Sequence, residues 1–273
     1  MKTILVATDF STASLNASNY AADMAMAINA DIALLHVFQV PVSYSEAPVI
    51  MNMDDMQRIA EKDISDLRDV LLARSKDKIN ITTIVRMGNF FDELKSTCES
   101  IHPYSVLMGS QGKTGAERLL FGGHTVHAMQ NLAWPLITVP PDVKFSAIKK
   151  IGLACDFNKV VDTTPVTELK ILLTDFQAEL HVLNTGRKED YDPEIVFQSG
   201  MLQELLVSMK PTYHFISSKD IDEGILNFAE VNHIDLLIVL PKRHGLFDQL
   251  IHKSHTKQLV LHSHVPVMAL HHE

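Results

Sequence analysis

The sequence predicts an α/β fold of two tandem doubly wound domains, each a five-stranded parallel sheet of order 3-2-1-4-5 flanked by helices. Three observations predict it. Short, almost continuous Val/Ile/Leu runs alternate with longer amphipathic stretches. Each half opens on an apolar run that ends in Asp-Phe. The markers of the first half then return in the second in the same order. Near-continuous apolar strands are those covered by helices on both faces, and strand–helix alternation requires parallel strands joined by right-handed crossovers.

In the first half, strands are predicted near 2–8, 32–38, 80–86, 104–109 and 135–139. Between the first two, Tyr20, Ala21, Met24, Ala25 and Ile28 recur at helical spacing. Met56, Ile59, Ala60, Ile64, Leu67 and Leu71 do the same before the third. Gln39–Ile50, with Pro41 and Pro48, reads as a loop. The methionines Met51, Met53 and Met56 read as core filling rather than as a ligand set.

The repeat is read from four pairs. TILVATDFS (3–11) matches KIGLACDFN (150–158), with Asp9 over Asp156 at an offset of 147. ALLHV (33–37) matches ELHV (179–182) at 145. Gly123-His124-Thr125 lies over Ser254-His255-Thr256, and Trp134–Ile137 over Val265–Met268, both at 131. The second copy is thus shorter by about 14 residues after its second strand, on the repeat arithmetic. The domains are expected at 1–143 and 148–273, with Pro140–Ala147 as the junction. Each half's last strand, Leu136–Val139 or Val267–Leu270, is an apolar sheet edge. Unpaired edges invite association, so these two are expected to pair as an intrachain pseudo-dimer. A further homodimer is left open.

Bulk properties exclude some partners. Lys and Arg number 24 against 33 Asp and Glu, a net charge of −9, which repels a nucleic-acid backbone. No apolar run reaches the length of a membrane span, and the N-terminal run is too short for a secretion signal. The two cysteines, Cys98 and Cys155, form no CxxC. No nucleic acid, no membrane and a cytoplasmic location are therefore expected.

The chemistry is expected in the segment MGSQGKTGAERLLFGG, 108–123, which follows an apolar strand and leads into a helix. Gly109, Gly112 and Gly122 are spaced G-x2-G-x9-G. Glycines there let backbone N–H groups approach an anion, and a helix N-terminus adds partial positive charge. Neither a Walker A loop nor the Rossmann GxGxxG is present. Asp9 ends the first strand and Gly109 the fourth. In a 3-2-1-4-5 sheet those strands flank the switch point, where ligands bind.

The stretch GSQGKTGAERLLFGG, the opening ILVATDFS and the ending WPLITVP resemble the universal stress protein family over nearly the whole chain. Its nucleotide-binding members carry G-x2-G-x9-G-[ST] and bind ATP or a related adenine nucleotide, often with a divalent ion such as Mg. The resemblance implies that Gly109, Gly112 and Gly122 cradle phosphates and that Met108 flanks the ligand. It implies further that Asp9 faces ribose or metal, that the Val37 backbone meets adenine, and that Ala7 and Thr8 form the floor. Gly123 stands where the family has Ser or Thr. The missing hydroxyl is worth about 1 kcal/mol, and Thr125 or His124 could replace it. In the second copy the glycines become Leu240, Arg243 and Lys253, while Ser254 keeps the hydroxyl; that phosphate loop is degenerate.

Three functions follow. The first is adenine-nucleotide binding with a signalling role in stress response, as the resemblance implies. The second is a slow ATPase, with Lys113, Arg118 and His124 as the nearby polar groups but no clear base. The third is a non-nucleotide scaffold. Asp9 alone, and Asp156 more so, could simply cap helices. The histidines His252 and His255 share a helical spacing but have no third metal ligand fixed by spacing.

Overall fold

The computed structural model describes residues 1–39, 52–110, 115–155, 160–185, 193–241 and 255–271, with only the backbone described at 115–122, 185, 193–195 and 255. In the first half, β1 (Lys2–Ala7), α1 (Thr12–Ile28), β2 (Ala30–Phe38), α2 (Met53–Ser75) and β3 (Ile81–Met87) precede α3 (Phe90–Ile101), β4 (Ser105–Gly109), α4 (Gly115–Asn131) and β5 (Leu136–Val139). The second half repeats this as β6 (Lys150–Ala154), α5 (Val160–Thr163), α6 (Val166–Phe176), β7 (Glu179–Thr185), α7 (Pro193–Leu206), β8 (Thr212–Ile216), α8 (Ile221–Val231), β9 (Leu236–Val239), α9 (His255–His262) and β10 (Val267–Ala269).

The ten described strands form one sheet, ordered β3-β2-β1-β4-β5-β10-β9-β6-β7-β8. Each half is 3-2-1-4-5, as predicted. Helices α1, α2, α6 and α7 bury their apolar faces on one side of the sheet, and α3, α4, α8 and α9 bury theirs on the other. This two-sided cover explains the near-continuous apolar strands: Ile4, Leu5 and Val6 are all fully buried.

The halves join where the edges were expected to meet. β5 and β10 run antiparallel, with Thr138 opposite Val267, Ile137 opposite Met268, and Leu136 opposite Ala269. Shifting by 131 carries Ile137 onto Met268, so the central pair consists of equivalent residues and the outer pairs exchange. A pseudo-two-fold axis therefore passes through that pair. Consistent with it, α1 meets α6 on one face and α4 meets α9 on the other. Lys2 Nζ reaches Asp175 Oδ1 of α6 at 2.5 Å across the junction. Asn16 of α1 donates both amide hydrogens to the connecting segment, at Pro140 O and Val143 O.

The structure corrects three details of the sequence reading. First, the LHV match at offset 145 is out of register. Thr8 N donates to Leu35 O and Cys155 N to Leu183 O, so Leu35 corresponds to Leu183 and the offset in the second strand is 148. The difference of three is odd, which would turn every side chain to the wrong face. The true counterpart of His36 is Asn184. The shortening is then 148 − 131 = 17 residues, and it falls where the 23-residue α2 is replaced by the 14-residue α7. Second, Ile59 is 58% exposed, because the buried apolar stripe of α2 is confined to Ala60, Ile64, Leu67 and Leu71. Third, Met53 opens α2 from solvent, at 49% exposure, and is not core; Met51 lies outside the described residues.

Candidate functional site

The carboxyl ends of β1 and β4 part at the switch point, since β1 continues through α1 on one face and β4 through α4 on the other. A cavity of about 260 Å3 opens there. Seven sequence-predicted residues line it: Ala7, Thr8, Asp9, Val37, Met108, Gly109 and His124. Gly122 and Gly123 lie within α4, beyond the first four N–H groups that a helix leaves free. Gly123 is exposed, and a Cβ built on it would meet nothing within 4 Å. Gly112 lies outside the described residues, as do Asp156, Arg243, Lys253 and Ser254 of the second copy. The described part of that copy places Leu240 against the apolar core.

The floor is held by hydroxyls. Thr8 Oγ1 and Ser14 Oγ are 3.1 Å apart. Ser11 caps α1 by accepting from Ser14 N, and Asp9 Oδ1 accepts from Ser11 N at 3.0 Å. Asp9 thus supports the turn as well as facing the cleft; the formal helix cap is Ser11. Between them Phe10 sits in the left-handed region at φ 62°, a conformation costing a non-glycine residue about 1 kcal/mol or more. Its ring packs on His36 at 4.6 Å. His36 Nδ1 donates to Thr8 O at 2.8 Å, since a carbonyl can only accept, and this fixes its tautomer. Asn184 repeats the contact in the second half, donating to Cys155 O at 2.9 Å.

Gly109 has a packing reason beside the anion-binding role expected from the sequence. A Cβ there would stand 2.7 Å from the Ala13 carbonyl carbon and 2.8 Å from its oxygen. Thr125 Oγ1 donates to Gly109 O at 3.2 Å, so its hydrogen is spent on β4 in this arrangement. His124 is the other side chain weighed as a replacement for the missing hydroxyl, and it faces the cleft with its ring 5.3 Å from that of Phe90.

Sequence reasoning missed Ser11, Ala13, Ser14, Gln39 and Phe90 as lining residues. The signal for Ser11 and Ser14 was present: small residues just after a strand-terminal Asp mark the helix start nearest the cleft. Phe90 enters because α3 also begins at the carboxyl edge of the sheet. Asn89 caps that helix, accepting from Phe91 N and Asp92 N. Asn89→Ala is expected to cost about 1 kcal/mol and to loosen the Phe90 wall, read as a lowered urea midpoint with an unchanged slope.

Other chemistry is limited. Burial pushes the Cys98 thiol up to about 12, with Glu99 adding to it, so that thiol stays protonated. Among the described residues no group of three His, Cys, Asp or Glu side chains could hold a metal, and no helix is long and apolar enough to cross a membrane. His252 lies outside the described residues, and His255 is described only by its backbone.

Comparison with known proteins agrees with this architecture. The model of the universal stress protein family matches twice, over residues 1–140 and 147–271. A universal stress protein from Archaeoglobus fulgidus DSM 4304 is 20% identical, with a TM-score of 0.75 over 99% of this chain and 96% of that one. A universal stress protein from Pseudomonas aeruginosa UCBPP-PA14 is 12% identical, at a TM-score of 0.62 over 99% and 93%. A family protein from Arabidopsis thaliana, solved with AMP bound, covers 51% of this chain and 92% of its own, at 16% identity and a TM-score of 0.36. No curated sequence matches significantly.

Proposed function

The chain belongs to the universal stress protein family, twice over in tandem, and from that premise we propose that its first domain binds an adenine nucleotide in the cleft between β1 and β4. The observation that carries this reading is the cleft itself: Asp9, Val37, Met108, Gly109 and His124 come from four separate segments and line one cavity. Adenine would lie toward Val37 and Phe90, ribose toward Asp9, and phosphate toward Gly109 and His124. Apolar walls with a few convergent polar groups suit a nucleoside. ATP with Mg is the ligand the family motif favours, and the role is binding and signalling in stress response rather than turnover.

Mass spectrometry of material released from freshly purified protein, with calorimetric titration by AMP, ADP and ATP in the presence and absence of Mg, tests the reading. A ligand at one hundred times its Kd should stabilise the fold by about 2.7 kcal/mol. No bound nucleotide and no heat with any of the three would refute it. Intact nucleotide after hours on the protein excludes hydrolysis, whereas protein-dependent phosphate release makes it an ATPase.

The family motif yields a gain-of-function prediction. Gly123→Ser restores the family hydroxyl into open space, beside His124. It should tighten a phosphorylated ligand by about 1 kcal/mol, roughly fivefold, and leave adenosine affinity unchanged. Equal gains for adenosine and nucleotide would place the effect away from phosphate.

A further inference from the structure

We propose that His181 and His214 form a proton-sensitive clasp, which holds β8 and α8 on the second domain and releases that edge when both rings are protonated. His181 Nδ1 and His214 Nε2 are 2.9 Å apart. The rings lie nearly parallel, 5.2 Å between centroids and 20° between planes. Phe228 of α8 covers His214 at 4.7 Å. One pair of side chains therefore ties β7, β8 and α8 together, at the outer edge of the ten-stranded sheet. Nothing in the nucleotide reading uses it.

The duplicated fold supplies an internal reference. Leu183 pairs with His214 and His181 with Thr212. Leu35 pairs with Ile84 and Ala33 with Thr82. Since Leu35 and Leu183 are equivalent, His181 stands where the first domain has Ala33, and His214 where it has Ile84. A buried or half-buried apolar pair in one copy is a hydrogen-bonded imidazole pair in the other. Such a replacement costs desolvation for the same backbone, and it adds a response to protons that the apolar pair lacks.

The proton count gives the mechanism. In the neutral pair one N–H sits between the two nitrogens, donating to the other ring. One proton taken from solvent produces an imidazole–imidazolium pair that keeps this bond. The charge is tolerated because Glu179 Oε2 stands 3.8 Å from His181 Nε2, an otherwise unpartnered buried nitrogen. A second proton puts two N–H donors against each other with no acceptor between them. The groups facing the pair are Lys150 from β6 and Glu179 from β7. On α8, Phe228 makes the contact, while Glu223 and Glu230 are exposed. Burial lowers both rings from the ordinary 6.5, aided by Lys150 at His181 and by His181 at His214. Folded values below the unfolded one mean that the stabilisation is whole above 6.5. It is lost as pH falls toward and through the lowered values.

Hydrogen–deuterium exchange on the full chain at about pH 7.5 and about pH 5.5, corrected for intrinsic chemistry, reads the clasp across the histidine range. Protection over 212–216 and 221–231 should drop at least about tenfold at the lower pH. The equivalent first-domain segments, 81–87 and 90–101, should hold. The double variant His181→Ala with His214→Ile, which installs the first domain's own residues, should keep protection at both pH values. Equal behaviour of the two halves in the native protein overturns the proposal without any variant. So does a pH-dependent loss that persists in the double variant, or in His214→Ile alone should the double variant fail to fold.

Discussion

Replacing Gly109 by alanine should be among the most damaging single-methyl changes in the first domain. The added Cβ would lie 2.7 Å from the Ala13 carbonyl carbon and 3.0 Å from the Ala13 Cβ. The first obstacle is helix backbone, which cannot rotate away as a side-chain tip would. α1 must shift as a body, although Ala17, Ala21, Met24 and Ala25 hold it fully buried on the sheet. Overpacking of this kind costs about 1–3 kcal/mol; the backbone obstacle argues for about 3. At roughly 2–4 °C per kcal/mol for a chain of this class, the melting temperature should fall by several degrees. The shift also moves Ser11 and Ser14 away from Thr8, which removes the cleft floor, so nucleotide affinity should drop by about tenfold or more. Gly123→Ala is the matched control, because its Cβ meets open space. Calorimetric melting of both variants decides the matter. A Gly109→Ala protein that melts with the native one would show that α1 and β4 are less tightly apposed than the structure has them.

The contrast between these glycines also shows which parts of the site were legible. Gly109 is placed by strand order: once β1 and β4 are read as neighbours at a switch point, the residues ending them must meet. That reasoning needs only apolar runs and their alternation, and it also delivered Asp9 and the β5–β10 junction, whereas Met108 came from the family resemblance. Gly123 is different. Its role depends on where α4 begins, and no periodicity in GAERLLFGGHT settles that. Phe90 and Gln39 escaped because they reach the cleft from the ends of β3 and β2, where the chain's exit direction sets the side chain. The His181–His214 pair was invisible for a stricter reason. The two residues are 33 positions apart and touch only through one ladder register, and the local LHV match pointed to the wrong register. Hydrogen bonds of the sheet, which leave no trace in composition, corrected it.

A carboxylate at Met268 should separate the two domains. Met268 is fully buried in β10 opposite Ile137, on the pseudo-two-fold axis, so it touches both halves at once. Met268→Asp buries a charge with no cation beside it among the described strand partners. The cost should exceed about 3 kcal/mol, whereas Met268→Leu, which conserves volume, should stay under about 1.5 kcal/mol. Burial raises the new carboxyl above its unfolded value near 3.9. The folded state then binds more protons than the unfolded one, and stability falls as pH rises. The penalty should therefore be greatest at neutral pH and shrink on acidification by up to about 1.4 kcal/mol per pH unit. This runs opposite to the clasp at His181 and His214, so the two effects can be told apart in one chain. Uncoupling also frees the β5 and β10 edges, and exposed edges pair with whatever edge is available. Urea unfolding of the Asp variant should split into two transitions at neutral pH, with larger species on size exclusion. If its single transition instead stays within about 1 kcal/mol of the native one, the antiparallel junction does not hold the domains together in solution. The packing of α1 on α6 and of α4 on α9, with the Lys2–Asp175 pair, would then have to carry the contact.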